Sequence, residues 1–160
     1  MKVGIIGSGG REHAICHTLN NSKKIKEIYC FPGNAGTEAI ANNVNIDVKD
    51  FNKIKEFVIS KKIDLIVVGP EKPLVDGIVD FFENKNINIF GPNKIASQLE
   101  GSKIFTKKLC KKYNIPTAKF GIFQNIESSE KFLKESDFPI VIKADGLAAG
   151  KGVYICDSKK

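Results

Sequence analysis

A glycine-rich segment near the start of the chain contains the residue types that hold phosphate groups. Gly7, Gly9 and Gly10 allow backbone N–H groups to approach a ligand, and they are followed by Arg11, the only arginine of the sequence. A dinucleotide-binding fingerprint requires another glycine at position 12, where the sequence has Glu12, so NAD is disfavoured. The pattern favours a phosphate or a phosphosugar at this turn, and a tight strand–helix turn without a ligand is the alternative.

Two more polar turns follow apolar segments and point to the same place. Asn34 and Thr37 belong to one of them, and Glu71 belongs to the other, shortly after Gly69. In an open α/β sheet, ligands bind beyond the carboxyl ends of the strands, where such turns gather. We therefore expect the turns around Arg11, Asn34 and Glu71 to converge at one edge of a sheet. Ordinary strand–helix connections are the alternative interpretation.

A second glycine-rich segment, residues 146–152, resembles a phosphate loop but departs from the Walker pattern. Asp145 stands at the first glycine position of that pattern, and Gly152 replaces its serine or threonine. A flexible glycine hairpin with Lys151 at its tip can still fold over phosphates. Lys143 ends an apolar run, and a lysine at such a buried-looking position is costly unless it meets an anion. A lysine that guards the edge of a sheet is the alternative.

The histidines and cysteines do not form a convincing metal-binding pattern. His13 and His17 are four residues apart, a spacing that can bind metal on a helix, but the H-E-x-x-H sequence is absent. The four cysteines form no C-x-x-C pair and lie in or beside apolar stretches. We expect no metal ligands in this chain and four reduced thiols, which are typical of a reducing compartment. The cysteines are Cys16, Cys30, Cys110 and Cys156.

The elements that must position the first group of residues alternate between strands and helices. The apolar runs and turn signals predict strands at residues 2–6, 27–31, 44–46, 64–69 and 87–90. Helices are predicted from Arg11 to about Asn20, after an N-cap at Asp50, and around Pro73. This alternation predicts an α/β fold with a doubly wound, mostly parallel sheet over about residues 1–92.

The pattern changes near residue 100, where we place a domain boundary between residues 101 and 102. Beyond it, helices are predicted at residues 103–113 and about 127–134, and strands at 117–123, 139–143 and 153–156. The first domain, 1–101, contains the three polar turns. The second, 102–160, contains the glycine hairpin and is small for a core of its own.

Composition and charge narrow the classes of protein further. The 160 residues are 42% hydrophobic and 27% charged, as in soluble globular chains, and no apolar run reaches the ~20 residues of a membrane helix. A cytoplasmic protein without a membrane partner is therefore favoured. The net charge of +7 is concentrated in residues 101–160, which carry 12 basic and 6 acidic side chains. Nearly all basic residues are lysines, which disfavours a nucleic acid and favours the phosphates of a small ligand.

Five motifs in one order closely resemble the phosphoribosylamine–glycine ligase family, also called glycinamide ribonucleotide synthetases. They are GSGGREHA at 7–14, PGNAGT at 32–37, VGPE at 68–71, QLEGSK at 98–103 and KADGLAAGKGV at 143–153. The resemblance implies a biotin-carboxylase-like N-terminal domain followed by the beginning of an ATP-grasp domain. It also implies a ligase of de novo purine synthesis. In this family ATP phosphorylates glycine, and 5-phosphoribosylamine attacks the acyl phosphate to give glycinamide ribonucleotide, ADP and phosphate.

The resemblance also implies the residues of two binding sites. For phosphoribosylamine they are Gly9, Gly10, Arg11, Asn34, Thr37 and Glu71, and for ATP they are Lys103, Lys143, Gly146, Gly150, Lys151 and Gly152. Residues 146–152 resemble the mobile flap over the nucleotide. Magnesium or manganese is expected in the full-length enzyme, with its ligands outside this chain.

The length of the chain leaves rival interpretations open. As the resemblance implies, 160 residues are little more than a third of a family member, so we expect these residues alone not to catalyse the ligation. A stand-alone phosphosugar-binding module is the alternative from another functional class. A third interpretation is another ATP-grasp ligase of purine synthesis with a different acceptor, which the GGREHA run disfavours. The sequence does not report an oligomeric state.

Overall fold

The computed structural model describes residues 1–83, 85, 87–148 and 150–158 of the chain. By its internal contacts, the chain separates into two compact units, Met1–Ser97 and Gln98–Lys160. None of the described helices is long and apolar enough to cross a membrane.

One parallel sheet of five strands organises the described part of Met1–Ser97. The strands are β1 (Lys2–Gly7), β2 (Glu27–Pro32), β3 (Asn42–Asn43), β4 (Leu65–Val68) and β5 (Ile89–Phe90). Their order in the sheet is β3-β2-β1-β4-β5, so the winding direction reverses between β1 and β4. Ile5 of β1 pairs with Cys30 on one side and with Val67 on the other. The predicted doubly wound, mostly parallel sheet is confirmed.

Helices lie between these strands and, in the case of α6, after the last of them. They are α1 (Gly10–Asn20), α2 (Ala35–Glu38), α3 (Phe51–Lys61), α4 (Glu71–Asp76), α5 (Ile78–Glu83) and α6 (Lys94–Gly101). The predicted cap of α3 is confirmed, because the Asp50 side chain accepts a hydrogen bond from Lys53 N. The single helix predicted around Pro73 is wrong. Gly77 adopts the left-handed conformation, with φ +94°, and separates α4 from α5.

Apolar side chains cover both faces of the sheet. Successive residues of a strand point to opposite faces, and Ile5 and Ile6 of β1 accordingly belong to two different core clusters. One cluster includes Cys16 of α1, and the other includes Ile54 of α3 and Phe82 of α5. The central strands are therefore buried on both faces, which explains why the sequence shows continuous apolar runs there.

The third strand lies earlier in the chain than predicted. The sequence places a strand at residues 44–46, whereas β3 is Asn42–Asn43. Val44 N–H still donates to Cys30 O at 2.8 Å, but Ile46 N–H turns back and donates to Val44 O at 2.7 Å. This tight turn takes the chain off the sheet, while Val44 and Ile46 still pack against the core. The apolar residues 44–46 predict a strand, but they reach the core from a turn and not from a paired strand.

The second unit, Gln98–Lys160, contains the end of α6, two further helices and a hairpin in its described part. The further elements are α7 (Lys103–Lys112), α8 (Ile126–Lys134) and the antiparallel strands β6 (Ile140–Lys143) and β7 (Val153–Cys156). The strand predicted at residues 117–123 is wrong. Lys107 Nζ of α7 donates to Thr117 Oγ1 at 2.6 Å and to Ala118 O at 3.3 Å, so a lysine rather than a neighbouring strand binds this backbone.

Large hydrophobic side chains of the second unit are not fully buried anywhere in residues 98–148 and 150–158. Tyr154 and Ile155 of β7 are 66% and 71% exposed, and Val141 and Ile142 of β6 are 49% and 45% exposed. Both faces of the hairpin are therefore open. This agrees with the expectation that residues 102–160 are too few to form a core of their own.

Two buried thiols should make the fold sensitive to alkaline pH. Cys16 and Cys30 are completely buried, their sulfur atoms lie 3.1 Å apart, and burial raises the pKa of both. Unfolded thiols ionise at about pH 8.5, whereas the folded ones keep their protons above that pH. The free energy of unfolding should therefore fall as pH rises above about 8.5, by up to about 1.4 kcal/mol per pH unit for each thiol. Urea unfolding at several alkaline pH values, under reducing conditions, measures the slope.

A matched pair of double variants isolates this effect. Replacing Cys16 and Cys30 by alanine lowers the free energy of unfolding through lost packing. The same replacement should remove most of the decrease of this free energy with rising alkaline pH. Replacing Cys110 and Cys156, which are only partly buried, should leave the slope unchanged. Equal slopes in the two double variants would contradict the assignment.

Candidate functional site

The turn between β1 and α1 is built around a glutamate that folds back beneath it. Gly9 is the N-cap residue of α1, and its N–H donates to Glu12 Oε2 at 2.6 Å. Glu12 is only 4% exposed. A Cβ atom added to Gly7 or to Gly69 would come within 2.7 Å of Glu12 carbon atoms. Glu12 therefore lies between the carboxyl ends of β1 and β4, and both glycines are required by its close approach.

Glu12 is the functional-site residue that the sequence analysis missed. In the sequence, position 12 stands out only because a dinucleotide fingerprint would have glycine there. Glutamate three residues after a helix N-cap is a known helix-start signal, since its carboxylate accepts a hydrogen bond from the N-cap N–H. That signal was present in the sequence.

Arg11 joins the turn after β1 to the turn after β4. Its Nη1 donates to Gly69 O at 2.6 Å, and its Nη2 donates to Glu71 Oε1 at 2.9 Å. The backbone N–H of Glu71 itself and the Arg11 guanidinium hold the pKa of the Glu71 carboxyl below its usual value. The positive charge at the start of α1 is thus offset within the chain and does not by itself require a bound anion. The Arg11 side chain is nevertheless 59% exposed.

Asn34 joins the turn after β2 to the turn after β1. Its Nδ2 donates to Ser8 O at 2.9 Å and to Gly9 O at 3.2 Å, and its Oδ1 accepts from Thr37 N at 3.0 Å. Asn34 is also the N-cap residue of α2. The three polar turns around Arg11, Asn34 and Glu71 therefore meet at the carboxyl edge of β2, β1 and β4, as predicted.

Thr37 holds the Asn34 turn in place through hydrogen bonds of its hydroxyl group. It is completely buried, and its Oγ1 accepts a hydrogen bond from Asn34 N at 2.7 Å. The same hydroxyl lies 2.7 Å from Asn43 Oδ1, to which it donates, and Asn43 Nδ2 donates to Asn34 O at 2.8 Å. The resemblance implies that Thr37 binds the phosphosugar, but its hydroxyl is enclosed and holds the Asn34 turn. Asn43 is a further supporting residue that no motif revealed.

The exposed rim of this edge has the chemistry of a site for a phosphorylated sugar. Ser8, Gly9 and Gly10 are exposed at the start of α1, where the first backbone N–H groups of a helix lack intrahelical acceptors. A Cβ added to Gly10 would meet nothing within 4 Å, so the space in front of this turn is open. Arg11 adds a guanidinium for a phosphate, and Glu71 adds a carboxylate that can accept hydrogen bonds from hydroxyl groups.

The second glycine-rich segment forms the connection of the β6–β7 hairpin. Lys143 at the end of β6 pairs with Val153 of β7, and Ala144 N–H donates to Gly152 O at 2.8 Å. Lys143 is exposed, so the burial cost inferred from the sequence is wrong, because the hairpin is open on both faces. The edge-strand position that was the alternative describes its surroundings better. Ala149 of this segment lies outside the described residues.

Lys103 is the second predicted ATP lysine, and it contacts this segment. Its Nζ donates to Gly146 O at 2.8 Å. Gly146 and Gly150 have φ values of +86° and +78°, and a Cβ on either would meet nothing within 4 Å. Lys151 is exposed, and its N–H donates to Ala148 O at 2.9 Å. The segment is thus held at one end by Lys103 and is open in front of Gly146 and Gly150.

Metal binding has no candidate cluster in the described part of the chain. No three His, Cys, Asp or Glu side chains come together there in a way that could hold an ion. The residues described here therefore do not fit a metal site of their own.

Two family models together match the whole chain. The model for the N domain of phosphoribosylglycinamide synthetase matches residues 1–100, and the model for its ATP-grasp (A) domain matches residues 101–160. The chain belongs to the phosphoribosylglycinamide synthetase family. The family inferred from the five motifs is therefore confirmed.

Named relatives give the same result at high identity. The phosphoribosylamine–glycine ligase of Caldanaerobacter subterraneus subsp. tengcongensis is 55% identical over 155 residues, which are 97% of this chain and 37% of that relative. The phosphoribosylamine–glycine ligase of Clostridium acetobutylicum is 52% identical over all 160 residues and 38% of its own length. The chain thus spans a little more than a third of the curated relatives it matches.

Solved structures confirm the fold class. The phosphoribosylamine–glycine ligase of Thermotoga maritima is 38% identical and has a TM-score of 0.78, covering 99% of this chain and 37% of that one. The biotin carboxylase domain of the Hydrogenobacter thermophilus 2-oxoglutarate carboxylase, solved with MgADP, has a TM-score of 0.72 over 98% of this chain and 37% of its own. At 18% identity the latter shows the fold alone. The biotin-carboxylase-like fold that continues into an ATP-grasp domain is confirmed.

Proposed function

We propose that this chain serves the ATP-dependent ligation of glycine to 5-phosphoribosylamine, which yields glycinamide ribonucleotide, ADP and phosphate. Identity of 55% to a phosphoribosylamine–glycine ligase over 97% of the chain supports the reaction. The observation that carries the proposal is the junction of three turns at the switch point of the sheet, where Arg11 and Asn34 hold an exposed helix start. Because relatives are longer, we expect these 160 residues alone not to complete the reaction.

The unit Met1–Ser97 binds the phosphosugar in this proposal. The N–H group of Gly10 and the Arg11 guanidinium bind the phosphate, since both carry positive character at the start of α1. Gly9, whose own N–H is taken by Glu12, leaves room for the phosphate because it has no side chain. Glu71 and Asn34 face the sugar hydroxyls and amine, for which a carboxylate and an amide are suitable partners. Thr37 contributes by fixing Asn34. In this way every predicted residue has a place, but Thr37 acts indirectly.

The unit Gln98–Lys160 begins the ATP site in this proposal. Lys103, Lys143 and Lys151 offer positive charge to the phosphates, and the open backbone at Gly146, Gly150 and Gly152 allows the hairpin to approach them. Phosphoryl transfer to the glycine carboxylate depends mainly on such positioning and charge neutralisation. Attack of the phosphoribosylamine nitrogen on the acyl phosphate then forms the amide. Mg²⁺ or Mn²⁺ is expected to assist, bound by residues outside the described ones.

Location and partners complete the proposal. All four cysteines are free thiols, which supports a reducing, cytoplasmic environment. The partners are small molecules, namely phosphoribosylamine, glycine and ATP, and neither nucleic acid nor membrane is involved. We also propose that one domain ends at residue 101 and the next begins at residue 102, as the sequence predicts.

Loss of the Arg11 guanidinium should weaken phosphosugar binding and leave the fold intact. In Arg11→Ala we expect affinity for ribose 5-phosphate to fall at least about tenfold, because a charge-assisted phosphate contact is lost. The free energy of unfolding should change by no more than about 1 kcal/mol, since the ion pair with Glu71 is largely exposed. Isothermal titration calorimetry measures the affinity, and urea unfolding measures the stability.

Lys72→Ala is the matched control. Lys72 forms an exposed ion pair with Asp76 on α4, so its loss removes the same charge without touching the site. Equal affinities of Arg11→Ala and Lys72→Ala would contradict the assignment of the phosphosugar site. Ribose 5-phosphate binding that depends on Arg11, together with no response to ATP, would favour the alternative of a binding module without catalysis.

A further inference from the structure

The start of α7 is capped by a carboxylate that comes from the glycine-rich hairpin. Ser102, the N-cap residue of α7, accepts a hydrogen bond from Phe105 N at 3.1 Å. Its own hydroxyl donates to Asp145, with oxygen–oxygen distances of 3.1 and 3.2 Å. Asp145 Oδ1 also accepts from Ile104 N at 3.2 Å. One negative charge therefore lies at the positive end of a ten-residue helix.

These contacts stabilise the ionised form of Asp145. Partial burial acts to raise the pKa of this carboxyl, but hydrogen bonds from the N–H groups of Ile104, Gly146 and Lys103 and from the Ser102 hydroxyl lower it below its usual value. The carboxylate thus receives donors from both the helix and the hairpin. It connects the two elements at one point.

Lys103 forms a second connection beside the first. Its Nζ donates to Gly146 O at 2.8 Å, one residue beyond Asp145. The first turn of α7 therefore holds two successive residues of the hairpin, one through backbone N–H groups and one through a lysine. Farther along the hairpin, Gly150 has open space in front of it, and Lys151 is exposed. Both of these contacts lie at the β6 end of the hairpin.

We propose that Asp145 is a positioning residue for the nucleotide: by anchoring the hairpin to α7, it places Lys103 and the β6 end of the hairpin for the ATP phosphates. This inference rests on the proposed ATP site. This role of Asp145 is the opposite of what its charge alone suggests, because a carboxylate close to phosphates repels them. Asp145 is tolerated there because its charge is taken up by the start of α7. Without it, the hairpin and Lys103 lose their common support.

The two effects of Asp145 predict opposite results for Asp145→Asn. Removing a negative charge should tighten ATP binding if charge alone decides. Weakening of the anchor should instead weaken ATP binding about tenfold, equivalent to about 1.4 kcal/mol, because a neutral amide offers one acceptor oxygen where the carboxylate offers two and a charge. Asp137→Asn is the matched control, because Asp137 is an exposed carboxylate of the same unit and its loss changes the net charge equally. We expect ATP binding in this control to be unchanged or slightly tighter.

The experiment is an NMR titration of the isotope-labelled 160-residue chain with ATP, performed on wild type, Asp145→Asn, Asp137→Asn and Lys143→Ala. Hydrogen exchange of the Ile104 amide, measured without ATP, reports the anchor directly and should accelerate about tenfold in Asp145→Asn. A purely structural role would lower the free energy of unfolding but leave the ATP affinity of the folded chain unchanged. The affinity is therefore the deciding readout.

Each outcome separates the inference from the proposed function. Weaker ATP binding in Asp145→Asn, with faster exchange at Ile104 and no loss in Asp137→Asn, supports the inference. Unchanged or tighter binding in Asp145→Asn overturns it, while dependence on Lys143 would still support the ATP site. Absence of ATP binding in wild type, or equal binding in Lys143→Ala, overturns the ATP site itself and with it the role of Asp145.

Discussion

Replacing Gly69 by alanine should destabilise the chain by about 2–4 kcal/mol. A Cβ at this position would lie 2.6 Å from Glu12 Cδ and would overlap its carboxylate. The carboxylate is buried and accepts the Gly9 N–H, so it cannot move aside without breaking that hydrogen bond. Urea unfolding followed by circular dichroism measures the loss.

Gly10→Ala provides the matched control for the same substitution. A Cβ on Gly10 meets nothing within 4 Å, and alanine is favoured over glycine inside a helix, so stability should stay equal or rise slightly. A double-mutant cycle gives a further check, because Gly69→Ala should cost much less in a Glu12→Ala background. Similar stabilities of Gly69→Ala and Gly10→Ala would show that Glu12 is not enclosed as described.

Replacing Thr37 by valine should cost about 2–4 kcal/mol although the two side chains have the same shape. The Thr37 hydroxyl is completely buried, accepts from Asn34 N and donates to Asn43 Oδ1. Valine leaves both of those polar groups without this partner at a position that is itself completely buried. The same change should also weaken ribose 5-phosphate binding, because Asn34 loses its support. Thermal or urea unfolding and calorimetry measure the two effects.

Thr18→Val is the control for this substitution. Thr18 is exposed on α1, and its hydroxyl donates to Ala14 O within the same helix. Stability should therefore change by no more than about 0.5 kcal/mol. A loss in Thr37→Val as small as in Thr18→Val would contradict the supporting role assigned to the Thr37 hydroxyl.

The central sheet could be predicted because the apolar runs in the sequence match the burial of its strands on both faces. Leu65–Val68 is an unbroken apolar run, and a strand buried on both faces requires such a run. The same kind of signal failed at residues 44–46, where apolar side chains reach the core from a turn. It failed again at residues 117–123. A strand forms only where a second strand pairs with it, and the local sequence pattern contains no information about that second strand.

In the candidate site, too, some residues could be predicted from local sequence patterns and others could not. Polar residues in the turns at strand ends, such as Arg11, Asn34 and Glu71, could be predicted because turns after parallel strands gather at one edge. Their supports were not found. Asn43 reaches Thr37 from a neighbouring strand, and Asp145 reaches α7 from a distant hairpin, so both depend on tertiary contacts. Local sequence patterns identify polar residues at the edge of a sheet more readily than the residues that support them.

The enclosed glutamate at the start of α1 limits what protein engineers can make of this domain. Substituting glycine for Glu12 would restore the letters of a dinucleotide fingerprint. It would also remove the acceptor of the Gly9 N–H and leave a void between Gly7 and Gly69. Redesign towards nicotinamide cofactors therefore requires repacking of the strand ends together with the motif, and a single substitution should not change cofactor class.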